Sequence, residues 1–368
     1  MKVAILGAGG AGCTVAAYLE SIGHEVRLFD LPEFSDAIAR IRKNGCIRLS
    51  GELTGTYMPR SLTTNIHEAV SGADIAMLTV PAYGHEAFMD ACLPHFSENQ
   101  VVLNWTSYWS SLRLFPRAVK AGRSDLTIAE AAIMPYMANV ESPDGTIVVR
   151  AVKQQLWVAA MPAEKTTRVL EIVKEIYPQV TAADNVLQTS FNNINVPFHV
   201  ATWLMNASHW EHTTGDFDFF GYGITPPVGR ISDAIDKERL AVASALRVDS
   251  FSFPKLMTMI YGKYGSSGNL SHDVLHTLYS HATWRPKVSF VKYAERDVME
   301  DVPFGLTPLS SLGAQLSVPT PTINAVIQTA SVAAGMDFRK FGVDVEKLGI
   351  KGMTPTEIID YAAHGNRR

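Results

Sequence analysis

Lys2-Val3-Ala4-Ile5-Leu6-Gly7-Ala8-Gly9-Gly10-Ala11-Gly12 is the stretch that decides the fold. Five residues of buried-strand character run into a Gly-x-Gly-x-x-Gly pattern, and residues 10–22 read as the helix that follows. In such a turn Gly7 allows the tight exit from the strand, and Gly9 lets backbone approach a pyrophosphate. Gly12 lets the helix pack close to the strand. Gly10 opens the helix, whose first N–H groups and partial positive charge suit a phosphate. A second strand, residues 25–29, ends at Asp30, 18 residues after Gly12. A carboxylate there can accept hydrogen bonds from the adenosine ribose. It also repels a 2′-phosphate, and Leu31-Pro32-Glu33 supply no arginine, so NAD is favoured over NADP. A glycine turn beside a solvated aspartate would share these letters, but not strand, helix and acid in this order.

Further along, residues 74–80 and 101–105 are buried runs of strand length, and the first ends in Thr79-Val80-Pro81. Val80 and Pro81 would stand at the carboxyl edge of the sheet, where open α/β sheets bind ligands; a plain strand terminator is the equal alternative. Strands alternating with helical patterns imply parallel pairing through right-handed crossovers, a doubly wound sheet. Two strand-like runs within residues 146–161 follow each other without a helix, which predicts an antiparallel edge; residues 162–176 read as one more helix. Beyond about residue 183 the texture becomes helical, over residues 186–210, 232–248, 253–264, 270–282 and 319–334. The expected architecture is a Rossmann domain, residues 1–184, followed by an all-α substrate domain, residues 185–368, with a ligand cleft between them.

The 368 residues are enough for two cores, and 47% hydrophobic with 18% charged residues is a globular composition. A net charge of −4 without a basic stripe argues against nucleic acid as a partner. Cys13, Cys46 and Cys92 are odd in number and in no metal-ligand spacing, so reduced thiols and no metal are expected. Met1 leads directly into a strand rather than a secretory leader, and no apolar run approaches the roughly 18 residues that span a bilayer. The expected compartment is the cytoplasm, with no membrane partner.

Polar residues gather where the helical half begins, at Asn192, Asn193, Asn195 and His199. On a helix Asn195 and His199 would lie one turn apart, although Pro197 between them demands a kink or a late start. Histidine suits proton delivery to a carbonyl or imine, while a lone histidine is more often a surface or core residue. Arg296-Asp297-Val298-Met299-Glu300-Asp301-Val302-Pro303 concentrates charge before a proline. Such a run is usually a solvated face, yet arginine is the natural fork for a substrate carboxylate. An aspartate that accepts from a histidine N–H would fix its tautomer and stabilise the imidazolium.

Taken together, these residues resemble the octopine/nopaline (opine) dehydrogenase family over nearly the whole chain. The likeness lies in Asn195 four residues before His199, and in Arg296 five residues before Asp301-Val302-Pro303. It extends to the PFGLTPLSSLGAQLSVPTPTINAVI segment and to VPAYGHEAF. Val200 stands where many relatives carry proline, and Asp297 where an aromatic residue usually follows the arginine. Asp297 and Asp301 are therefore both candidates to pair with the histidine, and register favours Asp301. The resemblance implies NAD(P)H-dependent reductive condensation of an amino acid with a 2-oxo acid, with His199 and Asp301 catalytic and Arg296 and Asn195 binding substrate. It allows for a homodimer. A 2-hydroxy-acid or ketopantoate-type dehydrogenase is the alternative, and a lysine on the catalytic helix would favour it; none occurs between Asn185 and His212. A nicotinamide-binding sensor without catalysis would not need the polar cluster.

Overall fold

The computed structural model describes residues 1–213, 217–219, 221–262, 270–280 and 291–366. The chain divides into two compact units, Met1–Thr189 with Ala362–Gly365, and Ser190–Tyr361.

The first unit is built on strands β1 (Lys2–Leu6), β2 (Glu25–Phe29), β3 (Ile47–Gly51), β4 (Gly55–Tyr57), β5 (Ser61–Thr63) and β6 (Ile75–Leu78). They are followed by β7 (Val101–Trp105), β8 (Thr127–Ala131), β9 (Tyr136–Val140), β10 (Ile147–Val152), β11 (Leu156–Met161) and β12 (Val180–Ala182). Eight of them form one sheet in the order β12-β11-β8-β7-β6-β1-β2-β5. β1 pairs in parallel with β2 on one side and with β6 on the other, so the winding reverses between β1 and β6. That reversal is the topological switch point at which open α/β sheets bind ligands. Val3, Ala4, Ile5, Ile75, Ala76 and Met77 are fully buried, the continuous apolar reading of a sheet covered on both faces.

The antiparallel element differs from the expectation. β11 does run antiparallel to β8, but β12 pairs with it in parallel and takes the edge. The other run, β10, leaves this sheet for a four-stranded one ordered β4-β3-β10-β9. A strand's apolar alternation shows that it pairs, not with which sheet, and this second sheet was absent from the sequence reading. Residues 162–176 also split, into a 3-10 turn at Ala163–Lys165 and a helix at Thr166–Val173.

In the second unit the described residues contain helices and no strand. The run expected as one helix over residues 186–210 is broken: Val186–Phe191 is helical, residues 192–198 are not, and a new helix covers His199–His212. Pro197 lacks the N–H an interior helical residue needs, and the structure takes the late start. Buried Arg239 holds the break in place. It donates to Asp236 Oδ1, to Ser250 Oγ and to the backbone oxygens of Phe191 and Phe251, while Asp236 Oδ2 accepts from Phe253 N. Later helices are Pro226–Ala245, Phe253–Tyr261, Ser271–Ser280, Val291–Asp301, Thr307–Gln315 and Pro321–Ala334. The expected ends of two of them, residues 263–264 and 281–282, lie outside the described residues. A π-helical turn, Val302–Leu306, follows Asp301 directly.

Candidate active site

In the first unit the glycine turn has the form its letters demand. Gly7 has φ +112°, a conformation that side chains resist. A Cβ on Gly12 would stand 1.9 Å from Gly7 O, so only glycine lets this helix meet the strand. A Cβ on Gly9 would meet nothing within 4 Å. Gly9 caps the helix Gly10–Ser21 without a side-chain bond to its first N–H groups, and no acid lies in the first turn. Bare donors, a positive helix end and open space over Gly9 fit a dinucleotide pyrophosphate.

Asp30 ends β2 at 7% exposure and accepts from Ala8 N at 2.7 Å and Leu31 N at 2.9 Å. Burial pushes its carboxyl above the ordinary value, and these two hydrogen bonds pull it back. Each carboxylate oxygen has a second lone pair for a ribose hydroxyl. Arg40, from the helix Asp36–Asn44, lies within electrostatic reach of Cys13, which also feels Asp30. Nothing within residues 31–33 signals it.

Val80 follows β6 at the switch point, and its Cγ1 would be 2.5 Å from a Cβ on Gly7. Thr79 Oγ1 donates to the backbone oxygens of Leu6 and Gly7, both at 3.0 Å. Pro81 caps the 3-10 turn Ala82–Gly84. Beneath this loop lies a network the sequence reading missed. Buried His85 bonds Val80 O through Nε2 at 3.2 Å, and Arg113 donates to its Nδ1 at 2.9 Å. The guanidinium leaves Nδ1 as acceptor, so Nε2 carries the hydrogen. Burial, then the Arg113 cation, holds the His85 pKa well below the ordinary value, so the ring is a neutral strut. Histidine inside VPAYGHEAF was the available signal, but its partner sits 28 residues away.

A second missed feature follows β7. Thr106, Tyr108 and Trp109 all have positive φ, at 89°, 42° and 59°. Non-glycine residues resist this conformation, most of all a β-branched one. Buried Glu130 holds the turn by accepting from Ser110 Oγ, Ser111 N and Thr189 Oγ1.

In the second unit, the helices His199–His212 and Val291–Asp301 pack on one another. The first residue of one thereby meets the last turn of the other. His199 Nδ1 lies 2.9 Å from Asp301 Oδ2 across 102 residues of chain. Asp301 is 1% exposed and His199 13%. Asp297 Oδ2 stands 3.8 Å from the same nitrogen, and its Oδ1 is 3.2 Å from Arg296 Nη2. Burial alone would lower the His199 pKa. Asp297, then the bond and charge of Asp301, outweigh it against the opposing Arg296 cation, and hold the pKa above the ordinary histidine value. Asn195 precedes the helix, in the turn that leads into it, and its carbonyl accepts from His199 N at 3.3 Å, the spacing of a single helical turn. Asn192 is structural, accepting from Ser250 Oγ and Phe251 N, and Asn193 Oδ1 accepts from Asn195 N. Among the described residues no His, Cys, Asp and Glu grouping could hold a metal ion.

Known proteins align with both halves. A family model described as NAD/NADP octopine/nopaline dehydrogenase, alpha-helical domain, matches residues 182–334, and one described as ketopantoate reductase PanE/ApbA matches residues 3–105. The chain is 34% identical to the opine dehydrogenase of Arthrobacter sp. (strain 1C), over 96% of this chain and 97% of that protein. Protein ocs of Agrobacterium tumefaciens (strain Ach5) is 23% identical over 97% of this chain and 98% of its own length. The solved structure of an octopine dehydrogenase in complex with NADH and agmatine has the same fold, with a TM-score of 0.76 at 19% identity, covering 100% of this chain and 99% of that one. The chain therefore belongs to the opine dehydrogenase family, NAD(P)-dependent oxidoreductases that act on CH–NH groups and join an amino acid to a 2-oxo acid by reductive condensation.

Proposed function

We propose that this chain condenses an amino acid with a 2-oxo acid such as pyruvate, uses NADH in preference to NADPH, and employs His199 as its proton donor. The reading rests on the His199–Asp301 contact at 2.9 Å, with Arg296 on the same helix as Asp301. Residues 1–184 would hold the dinucleotide through Gly7, Gly9, Gly10, Gly12, Asp30, Val80 and Pro81. Residues 185–368 would supply the acid and the carboxylate clamp. The unpaired state of all three cysteines suits a reducing cytoplasm.

Condensation releases water and consumes one proton, and the hydride comes from the bound dinucleotide. With Nδ1 taken by Asp301, His199 presents Nε2. From there it would bond the carbonyl oxygen and donate a proton as that oxygen departs. Asp301 fixes the tautomer and stabilises the imidazolium. Arg296, with its side chain 46% exposed, would fork onto the 2-oxo acid carboxylate. Asn195 would orient the substrate.

The deciding experiment follows NADH absorbance with pyruvate and a panel of amino acids, and identifies the product by mass. An N-(carboxyalkyl) amino acid formed only when both substrates are present is expected. Equal NADH consumption with pyruvate alone would point instead to a 2-hydroxy-acid dehydrogenase.

A further inference from the structure

Asp301 orients His199 by hydrogen-bonding Nδ1 from a position shut off from solvent. Asp297 approaches the same nitrogen at 3.8 Å, too far for a second hydrogen bond, so its action on the ring is that of a charge. Its two oxygens face different groups: Oδ2 the imidazole and Oδ1 the guanidinium of Arg296. One carboxylate thus bridges the proton donor and the carboxylate clamp.

We propose that Asp297 is a positioning residue that couples occupation of Arg296 by the 2-oxo acid carboxylate to protonation of His199. The inference rests on the roles proposed above for His199 and Arg296. Among the described residues, the charges acting on His199 are Asp297, Asp301 and the opposing Arg296, all from the helix Val291–Asp301. The π-helical turn and the helices Thr307–Gln315 and Pro321–Ala334 carry no ionisable side chain. On Pro226–Ala245, Asp236 and Arg239 are paired with each other, Asp233 accepts from Ser271, Glu238 accepts from the backbone of Thr322 and Ile323, and Arg230 and Lys237 are exposed. His209, Glu211 and His212 lie at the far end of the histidine's own helix.

Before substrate arrives, Asp297 is shared between a group whose charge it favours and a cation that opposes that charge. A substrate carboxylate on Arg296 compensates the cation and leaves Asp297 to act on the ring. His199 then keeps its proton to higher pH than in the NADH complex alone. By linkage the 2-oxo acid binds the protonated enzyme more tightly, and the site takes up a proton as the substrate seats. The acid is thereby loaded in the complex that will use it.

Calorimetric titration of oxamate, an unreactive analogue with the same carboxylate, into the wild-type NADH complex tests this. Comparison of buffers with different ionisation enthalpies reads out proton uptake. Uptake of a fraction of a proton is expected near and above neutrality. Asp297→Asn should lose more than half of it, and should move the kcat/KM profile for the 2-oxo acid down by about one pH unit. Asp297→Glu, which keeps the charge, should restore both. Equal uptake in wild type and Asp297→Asn overturns the coupling, as does no uptake in wild type, a result that needs no variant to fold. Oxamate binding equally well to Arg296→Ala would show that the assignment of Arg296 itself has failed, and the coupling with it.

Discussion

The glycine turn of the first unit and the histidine cluster of the second, in the roles proposed for them, would hold a polar ligand in opposite ways. The turn uses backbone: a strand end, bare N–H groups and glycines whose missing Cβ atoms make the space. All its parts but Asp30, Val80 and Pro81 lie within residues 7–12. The cluster uses side chains from helices 102 residues apart and depends on their packing for its geometry. A backbone site fails when space is filled, and a side-chain site when charge or proton is removed. Substitutions in the two regions should therefore break different quantities.

The largest expected effect is in the cluster. His199→Ala should lower kcat by roughly 100-fold or more, the usual scale of acid–base catalysis, while fluorescence titration still shows NADH binding. Near-normal kcat in that variant would remove His199 from the mechanism. The pH dependence sharpens the point. In the proposed role of His199 reduction would need the imidazolium, so the rate should hold below the raised His199 pKa and fall as pH rises through it. Asp301→Asn should move that fall to lower pH.

Gly12→Ala in the turn should do the reverse. Its methyl group would stand 1.9 Å from Gly7 O, so the backbone must shift, at a cost of about 1–3 kcal/mol. A lowered Tm and weakened NADH affinity are expected, with the pH profile of the remaining activity unmoved. A shifted profile would show that the two regions are not separable in this sense.

Asp30→Ala should have the smallest effect. In its proposed role this would remove a ribose acceptor and a charge that repels a 2′-phosphate, so kcat/KM with NADH should fall more than with NADPH. Steady-state kinetics with both cofactors measures this. A wild-type preference for NADPH would contradict the assignment of Asp30.

The same contrast explains what could be read from the chain. β1 and β7 lie where their apolar runs placed them, because a strand buried on both faces writes its burial into contiguous residues. β10 was legible as a strand but not as a member of the second sheet, since pairing depends on residues far away. The break at residues 192–198 was half legible: Pro197 announced it, and only the contacts of Arg239 with Phe191, Ser250 and Phe251 selected a late start. His85 and Arg113 were invisible as a pair, because nothing local distinguishes a buried histidine from an exposed one.

By itself the sequence determined the glycine turn, the acid at the end of β2, the change from sheet to helix, and the family likeness. Each depends on neighbours in the chain, where period and spacing carry the physics. Tertiary structure alone decided that Asp301 hydrogen-bonds His199 and that Asp297 stands behind it with one oxygen on Arg296. Both acids lie on one helix, one turn apart; register favours Asp301, but register alone forms no bond. The crossing of the helices His199–His212 and Val291–Asp301 brought one within 2.9 Å and left the other at 3.8 Å. A difference of less than an ångström separates a hydrogen bond from a bare charge, and helix packing sets it.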